Sequence, residues 1–250
     1  MPSPSPVRLA LWSGPRNIST AMMRSFESRS DSYVTDEPLY SHYLKVTGLP
    51  HPGRDEVIAH HESDWRKVVA WLGGPVPEGK SLWYQKHMAH HLLPEIDRGD
   101  LRGEGWLSQL ENCFLIREPR EMLASLAKVT PFPSIEDTGL PQQVELFDQI
   151  RARRGTPPPV IDARDVLVDP RRTLSALCAR VEIDFEESML AWAPGRRATD
   201  GIWAEHWYAE VERSTGFATY RPKGDDLPER LEPLAAQCSR LYDRLAEHRL

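Results

Sequence analysis

One stretch near the amino terminus constrains the fold of this chain most strongly: residues 9–29, LALWSGPRNISTAMMRSFESR. Apolar residues occupy every second position from 7 to 11, which predicts a short buried strand. Small residues with a Gly and a Pro at positions 13–17 predict a tight turn. From Ile18 onwards apolar residues recur every four positions, which is the spacing of one helix face. The stretch therefore predicts a strand, a turn and a helix in direct succession.

The turn before this helix has the composition of an anion site. A helix that begins at Ile18 directs unpaired backbone N–H groups and the positive end of its dipole towards the turn. Arg16 adds a cation, and Ser19 and Thr20 add hydroxyl groups, so the set suits a phosphate. It is not a Walker A loop, because no Gly-Lys-Ser/Thr follows the strand. An ordinary strand–helix connection with a surface Arg gives the same pattern, so this stretch alone leaves both interpretations open.

Strand and helix patterns alternate along the rest of the chain, which predicts an α/β fold in three layers, a mostly parallel sheet with helices on both faces. We expect a single domain over residues 1–250, with a disordered segment at 1–6 and a carboxyl-terminal packing helix within 227–250. Residues 40–54 show no clear period and predict a loop or lid over the site. The later strands are predicted at 33–35, 81–85, 112–116 and 160–161, and the main helices at 55–72, 119–129, 142–154, 169–181, 185–192 and 228–248.

Composition excludes several classes of function. The chain has 31 Lys and Arg against 37 Asp and Glu, a net charge of −6, which argues against a general nucleic-acid or membrane-surface binder. Its three Cys are far apart and odd in number, so we expect core residues in a reducing compartment rather than disulfides or a zinc site. The sequence shows no signal peptide and no membrane span, so we expect a cytoplasmic protein.

Residues with acid–base chemistry follow the second and third predicted strands. Acidic and aromatic residues at 36–40 are either a solvated loop or part of the ligand edge of an open α/β sheet. Lys86 and His87 follow the third strand, where a His can act as a general base. His90 and His91 are interpreted as helix residues, one of them packed inside. No metal site is predicted, because no acidic partner stands at ligand spacing.

Two further segments carry paired cations. Arg117 comes at the end of the fourth strand and Ser125 lies eight residues later on the next helix, so both can reach one anion. Near the carboxyl terminus, Arg196 and Arg197 stand beside a Gly and several aromatic residues, a plausible bidentate phosphate clamp. A capped strand–helix junction and a surface Arg pair explain each segment equally well when it is taken alone.

Taken together, these segments resemble sulfotransferases that use 3′-phosphoadenosine 5′-phosphosulfate (PAPS). The first phosphate loop of the bacterial form often runs Pro-Arg-Ser-Gly-Thr-Ser/Thr. The same places here hold Pro15, Arg16, Asn17, Ile18, Ser19 and Thr20. Ile18 replaces the usual Gly, and a β-branched residue adopts a left-handed backbone only at a cost. The resemblance therefore leaves the geometry of the loop open even where its task is kept.

Three more segments extend the resemblance. The signature Arg-x-Pro-(Lys/Arg)-(Asp/Glu)-x-x-x-Ser reads Arg117, Pro119, Arg120, Glu121 and Ser125. The segment Arg-Lys-Gly-x-x-Gly-x-Trp-x-x-His-Phe coincides at Arg196, Arg197, Gly201, Trp203, His206 and Trp207, with Ala198 in place of the first Gly. Cytosolic members carry Lys-Thr-His at the end of the matching strand. With Leu93-Pro94 as the anchor, His87 falls on their catalytic His and Lys86 lies one place from their Lys.

The resemblance implies a fold like that of P-loop nucleoside triphosphate hydrolases and transfer of a sulfuryl group from PAPS to a hydroxyl or amine of a small molecule, without a metal. It implies that His87 takes the acceptor proton, and that Arg16 stabilises the leaving phosphate unless Lys86 supplies a proton. The implied donor-binding residues are Arg16, Asn17, Ser19 and Thr20 for the phosphosulfate, and Arg117, Ser125, Arg196, Arg197 and Trp203 for the adenosine bisphosphate end.

Two other functions stay open. The first is a small-molecule or nucleotide kinase of related fold, against which the missing Walker Lys and the lack of a magnesium-holding Asp both count. The second is a non-catalytic nucleotide-binding protein, which Ile18 and Ala198 favour. We expect no nucleic-acid partner. The terminal helix could also serve a homodimer, and the sequence does not identify the acceptor.

Overall fold

The computed structural model describes residues 5–98, 105–222 and 227–250, and within them a five-stranded sheet forms the centre of the protein. The strand order is β2-β3-β1-β4-β5, and every neighbouring pair is parallel. This confirms the predicted α/β class with a parallel sheet. The strands are β1 (Val7–Ser13), β2 (Ser32–Asp36), β3 (Leu82–Met88), β4 (Glu111–Ile116) and β5 (Val160–Asp162).

Helices connect the strands, and several short 3₁₀ turns lie between them. The α-helices are α1 (Ser19–Glu27), α2 (Tyr40–Thr47), α3 (Arg54–His60), α4 (Trp65–Leu72), α5 (Pro119–Leu126), α6 (Leu140–Arg154), α7 (Ala163–Val168), α8 (Pro170–Arg180), α9 (Ala204–Trp207), α10 (Ala209–Glu212) and α11 (Glu232–Ala246). The 3₁₀ turns that matter for the site are Ala89–His91 and Glu136–Thr138.

The register of the sheet brings four strand ends to one edge. Ser13, the last residue of β1, pairs with Met88 of β3 and with Leu115 of β4. Asp36, the last residue of β2, pairs with Lys86. Because the strands are parallel, the residues that follow β1, β2, β3 and β4 all emerge at this carboxyl edge, where open α/β sheets bind their ligands.

An apolar core lies on each face of the sheet, as expected for a three-layer fold. Side chains alternate along β1, so Trp12 enters the core built with α4, α6 and α11, whereas Leu11 enters the core built with α1 and α8. Cys113, Cys178 and Cys238 are free and buried, which confirms that they are core residues. In the described ranges, no helix is long and apolar enough to cross a membrane.

The structure corrects the interpretation of residues 40–54. The segment expected to be a loop or lid contains α2, which ends at Gly48 with a left-handed φ of 66°. Tyr43 and Leu44 are buried in a small cluster with Trp203 from the carboxyl-terminal part of the chain. The helix therefore depends on a distant packing partner, which a search for local periodicity does not register.

The predicted helix at 55–72 is two helices. His61 is extended, with φ −118° and ψ 151°, and ends α3. Asp64 then caps α4 by accepting a hydrogen bond from the N–H of Arg66 at 3.0 Å.

The predicted helix at 185–192 is only a 3₁₀ turn, Glu187–Leu190. The packing helix expected within 227–250 is present as α11, whereas residues 1–4 of the expected disordered segment lie outside the described residues. The single domain stays a prediction.

Candidate active site

The loop after β1 has two residues with a left-handed backbone. Arg16 has φ 62°, and Ile18 has φ 58° and ψ 15°. Each such residue with a side chain costs about 1–2 kcal/mol, and such strain persists only where the surrounding structure imposes it. Ile18 therefore adopts the conformation that a Gly would adopt more cheaply. At this residue, the backbone is left-handed although Ile stands in place of Gly.

The loop ends at the amino terminus of α1. The first hydrogen bond of this helix runs from the N–H of Met22 to the carbonyl of Ile18 at 3.1 Å. The N–H groups of Ser19, Thr20 and the next residue therefore have no acceptor within the helix. Together with the helix dipole, these N–H groups contribute positive potential at the turn.

Arg16, Arg117 and Ser125 lie together across the ends of β1 and β4. The Nε of Arg16 donates a hydrogen bond to Oγ of Ser125 at 3.0 Å. An Nη of Arg117 donates to the carbonyl oxygen of Arg16 at 2.7 Å, which fixes the strained loop. Arg117 also pairs with Glu121 at 3.1 Å, and the other oxygen of Glu121 accepts a hydrogen bond from the hydroxyl of Tyr220 at 2.7 Å. The Arg117 guanidinium thus has a carboxylate partner, whereas the Nε of Arg16 donates to a neutral hydroxyl.

Two glycines allow the loop to pack against its neighbours. A Cβ on Gly14 would lie 2.3 Å from the carbonyl oxygen of Thr138. Gly139, with φ +72°, would place a Cβ 3.3 Å from Cα of Gly14 and 3.6 Å from Cβ of Ala89. The backbone around 138–139 therefore lies between the phosphate loop and the turn that follows β3.

His87 lies inside the sheet and not at its edge. It belongs to β3 and pairs with Trp12, and its ring stacks on the Trp12 ring at 4.3 Å. The side chain is 1% exposed, and burial lowers the pKa of His87 to about 3. Lys86 and α1 lie on the other face of the sheet, because side chains alternate along β3. The role of His87 as the base thus rests on the resemblance, without support from its position.

Lys86 is buried in an ion cluster. Its Nζ donates to Asp36 at 2.9 Å, to Glu37 at 2.7 Å and to the hydroxyl of Tyr208 at 2.5 Å. Burial alone would lower the pKa of Lys86, but the carboxylates of Asp36 and Glu37 outweigh it and hold this pKa well above its ordinary value. An ammonium group has three N–H donors, and all three are engaged. In this arrangement Lys86 has no donor left for a leaving group.

The same cluster fastens the carboxyl-terminal part of the chain to the sheet edge. Asp36 accepts hydrogen bonds from the N–H of Gly201 at 3.1 Å and from the hydroxyl of Tyr208 at 2.8 Å. Next to it, Arg24 of α1 is buried and pairs with Asp200 at 2.6 Å. Sequence reasoning did not identify this network. The available signals were a charged residue within the apolar part of α1 and the acidic residues directly after β2.

Within the described part of the chain, Arg197 and Trp203 contact groups other than Arg117, Arg16 or Ser125. Arg196 is exposed, and Arg197 lies 3.7 Å from Glu27 and donates to the carbonyl of residue 193. Glu27 is the last residue of α1, at the end of the helix opposite the loop. At a rise of 1.5 Å per residue, it lies about 12 Å along the helix axis from the first residue of α1. Trp203 is buried, and its Nε1 donates to the hydroxyl of Tyr208 at 3.2 Å. Their contact with the donor stays a prediction.

Fold and site together define the class of protein. A parallel α/β sheet carries, after its central strand, a loop that leads into a helix, and Arg117 and Ser125 of the segment after the neighbouring strand contact Arg16 of this loop. Over residues 7–245, the chain matches a family model described as sulfotransferase domain. The chain therefore belongs to the sulfotransferase domain family.

Similar proteins agree with this assignment at the level of the fold. The sulfotransferase domain from the Synechococcus PCC 7002 olefin synthase is 17% identical, with a TM-score of 0.55 and coverage of 96% of this chain and 95% of that one. The sulfotransferase domain from the curacin biosynthetic pathway is 16% identical, with a TM-score of 0.51 and coverage of 94% and 98%.

Two curated relatives come from Arabidopsis thaliana. They are named branched-chain-amino-acid aminotransferase-like proteins 2 and 1, and each is 38% identical to this chain over 95% of its length. The alignment covers 41% of each relative, so the chain spans about two fifths of the curated relatives that it matches.

Proposed function

We propose that this protein transfers a sulfuryl group from PAPS to a hydroxyl or amine of a small-molecule acceptor. The observation that carries the proposal is the contact of Arg16 with Ser125 and of Arg117 with the Arg16 carbonyl, at the amino terminus of α1. It occurs in a chain of the sulfotransferase family. By the resemblance given above, each of these residues coincides with a phosphate-binding position of the motifs.

The chemistry of the loop fits an anionic donor. The groups it offers are hydrogen-bond donors or cations: the Arg16 guanidinium, the free N–H groups of α1, and the hydroxyls of Ser19 and Thr20. We assign the phosphosulfate to these groups together with Asn17, and the 3′-phosphate to Arg117 and Ser125. Arg196, Arg197 and Trp203 keep their assignment to the adenosine bisphosphate end by resemblance.

The loop also suits the charge change of the reaction. When bound, PAPS supplies an activated sulfuryl group whose transfer leaves negative charge on a phosphate oxygen. Arg16 and the amino terminus of α1 would stabilise that charge at the moment it develops. Arg16 would act through its charge and hydrogen bonds only, because a guanidinium does not give up its proton at physiological pH.

Calorimetric titration with adenosine 3′,5′-bisphosphate tests the proposal, with ATP and magnesium in a parallel titration. We expect binding of the bisphosphate without a metal, followed by release of bisphosphate from PAPS in the presence of phenol, alcohol and amine acceptors. Binding of ATP with magnesium alone would instead identify a kinase. Binding of neither nucleotide would contradict both functions.

A further inference from the structure

We propose that His91 accepts the proton of the acceptor and that Glu37 positions the His91 ring; this inference rests on the proposed sulfuryl transfer. Glu37 follows β2 directly and has φ 39°, an uncommon backbone conformation for a residue with a side chain. Its N–H donates to the carbonyl of Lys86 at 3.0 Å, and its carbonyl accepts from the N–H of Tyr40 at 2.9 Å. The strained backbone is therefore held from both sides at the carboxyl edge.

The two oxygens of Glu37 have different partners. Oε1 accepts the hydrogen bond from Lys86 at 2.7 Å, which fixes the carboxylate. Oε2 lies 4.0 Å from Nδ1 of His91, and this nitrogen is buried without a hydrogen-bond partner among the described residues. A proton on Nδ1 would thus face a carboxylate, which leaves Nε2 as the basic nitrogen of the ring. Such contacts are often long without substrate and shorten when it binds.

Two tyrosines hold the His91 ring in place. Tyr40 stacks on it with ring centres 4.8 Å apart and 12° between the planes, and Tyr43 lies against it at 4.6 Å. The other titratable groups that act on the ring are His90, His51, Lys86 and His87. Burial, and then these positive or protonatable neighbours, keep the pKa of His91 well below its ordinary value. The imidazole is therefore neutral at pH 7.

His91 also lies beyond the carboxyl end of β3, whereas His87 lies within this strand. It ends the 3₁₀ turn Ala89–His91 that follows β3, and Gly139 lies between this turn and Gly14 of the phosphate loop. In the step we propose, the acceptor oxygen or nitrogen forms a bond to sulfur while the bond between sulfur and the phosphate oxygen breaks, and its electron pair stays on the phosphate. The acceptor proton moves to Nε2 of His91, and the Glu37 carboxylate stabilises the resulting imidazolium.

Nitrogen-15 NMR of the histidine side chains tests this without any acceptor. We expect a neutral His91 at pH 7 with its proton on Nδ1 and an unprotonated Nε2. A proton on Nε2, or a charged ring, would overturn the proposal. The His91→Gln variant identifies the resonance, and sequential assignment does so if that variant fails to fold.

Kinetics supply the second test. His91→Gln should lower kcat about 100-fold or more, while the Kd for adenosine 3′,5′-bisphosphate changes less than about twofold. Glu37→Gln should lower kcat about 10-fold. It should also shift the acidic limb of the pH profile of kcat/KM to lower pH, because the His91 imidazolium loses the carboxylate that stabilises it. A purely structural role of Glu37 would not shift this limb. His60→Gln, an exposed residue of α3, is the control with unchanged kinetics.

The outcomes separate the two proposals. If the wild-type protein does not bind the bisphosphate, the proposed function fails. If it binds and turns over PAPS but His91→Gln keeps its kcat, only the role of His91 fails. Loss of turnover in His87→Gln together with normal turnover in His91→Gln would return the role of base to His87.

Discussion

Arg16 and Ser125 are 109 positions apart in the chain, yet the Nε of Arg16 donates a hydrogen bond to Oγ of Ser125 at 3.0 Å. The contact joins the loop after β1 to the helix after β4. These two strands are neighbours in the sheet, so their carboxyl ends lie side by side. The sheet order therefore brings together the two segments to which we assign the phosphosulfate and the 3′-phosphate of the donor.

Arg117 should contribute to nucleotide affinity through this contact. Arg117→Ala removes a cation and frees the carbonyl of Arg16, so we expect the Kd for adenosine 3′,5′-bisphosphate to rise about 10–100-fold, as for a lost charged hydrogen bond of about 1.5–3 kcal/mol. Calorimetry measures this change. Arg154→Ala is the matched control, because Arg154 pairs with Glu111 at the amino end of β4. An equal effect of both variants would contradict a local role.

The ion cluster around Lys86 should be important for stability. Lys86→Met leaves the carboxylates of Asp36 and Glu37 buried without their cation, so we expect the free energy of unfolding to fall by about 3–5 kcal/mol. Urea denaturation measures this quantity. Lys67→Met, which removes an exposed pair with Glu62, should cost less than about 1 kcal/mol. A similar small loss in Lys86→Met would show that the cluster is not formed.

Buried neutral histidines should make the protein less stable in mild acid. In the folded protein His87 has a pKa of about 3, whereas the unfolded chain titrates near 6.5. Between these pH values the unfolded chain binds more protons, so stability falls as the pH decreases below 6.5. Linkage gives a loss of about 2 kcal/mol from this residue between pH 7 and pH 5.

The variant His87→Gln isolates this contribution. We expect its free energy of unfolding to decrease less between pH 7 and pH 5 than that of the wild type, by about 2 kcal/mol. Burial also lowers the pKa of His90 to about 4. His90 therefore lowers the stability in acid equally in the variant and the wild type, and its contribution cancels in the comparison. An identical decrease in variant and wild type would show that His87 already titrates normally in the folded state.

Gly14 should tolerate no side chain. Its Cβ would collide with the backbone carbonyl of Thr138, so Gly14→Ala should displace the loop, lower the free energy of unfolding by about 1–3 kcal/mol and weaken bisphosphate binding. Urea denaturation and calorimetry check both effects. Gly73→Ala is the control, because a Cβ there meets its nearest neighbour at 3.5 Å and the backbone has φ −82°. Unchanged binding in Gly14→Ala would contradict the tight packing.

The sequence predicted the parts of the site that are local. The succession of β1, loop and α1 depends on the periodicity and turn residues within about twenty positions. The positions of Arg117 and Ser125 are local in the same sense. Arg117 directly follows β4, and Ser125 lies on α5, the eight-residue helix that begins two residues later. Short-range patterns decide these elements, so no knowledge of the other strands was needed.

The parts that failed depend on distant partners. The sequence predicts that the third strand ends at residue 85 and that Lys86 and His87 follow it, whereas both residues belong to β3. Asp36, Glu37 and Tyr208 supply the missing partners, so β3 continues to Met88 and turns His87 into the core. Likewise, α2 exists because Tyr43 packs on distant residues. Burial of this kind is a property of the assembled sheet and not of a sequence window.

The bond between Lys86 and Tyr208 joins positions 122 residues apart, which matters while the protein is being made. At synthesis rates of about 5–20 residues per second, β1, β2 and β3 emerge from the ribosome roughly 6–24 s before Tyr208 does. During that interval the carboxylates of Asp36 and Glu37 and the ammonium of Lys86 lack the hydroxyl that completes their cluster. A nascent chain paused before residue 200 would therefore present an unfinished site to chaperones and proteases, and the site would become complete only when this late segment docks.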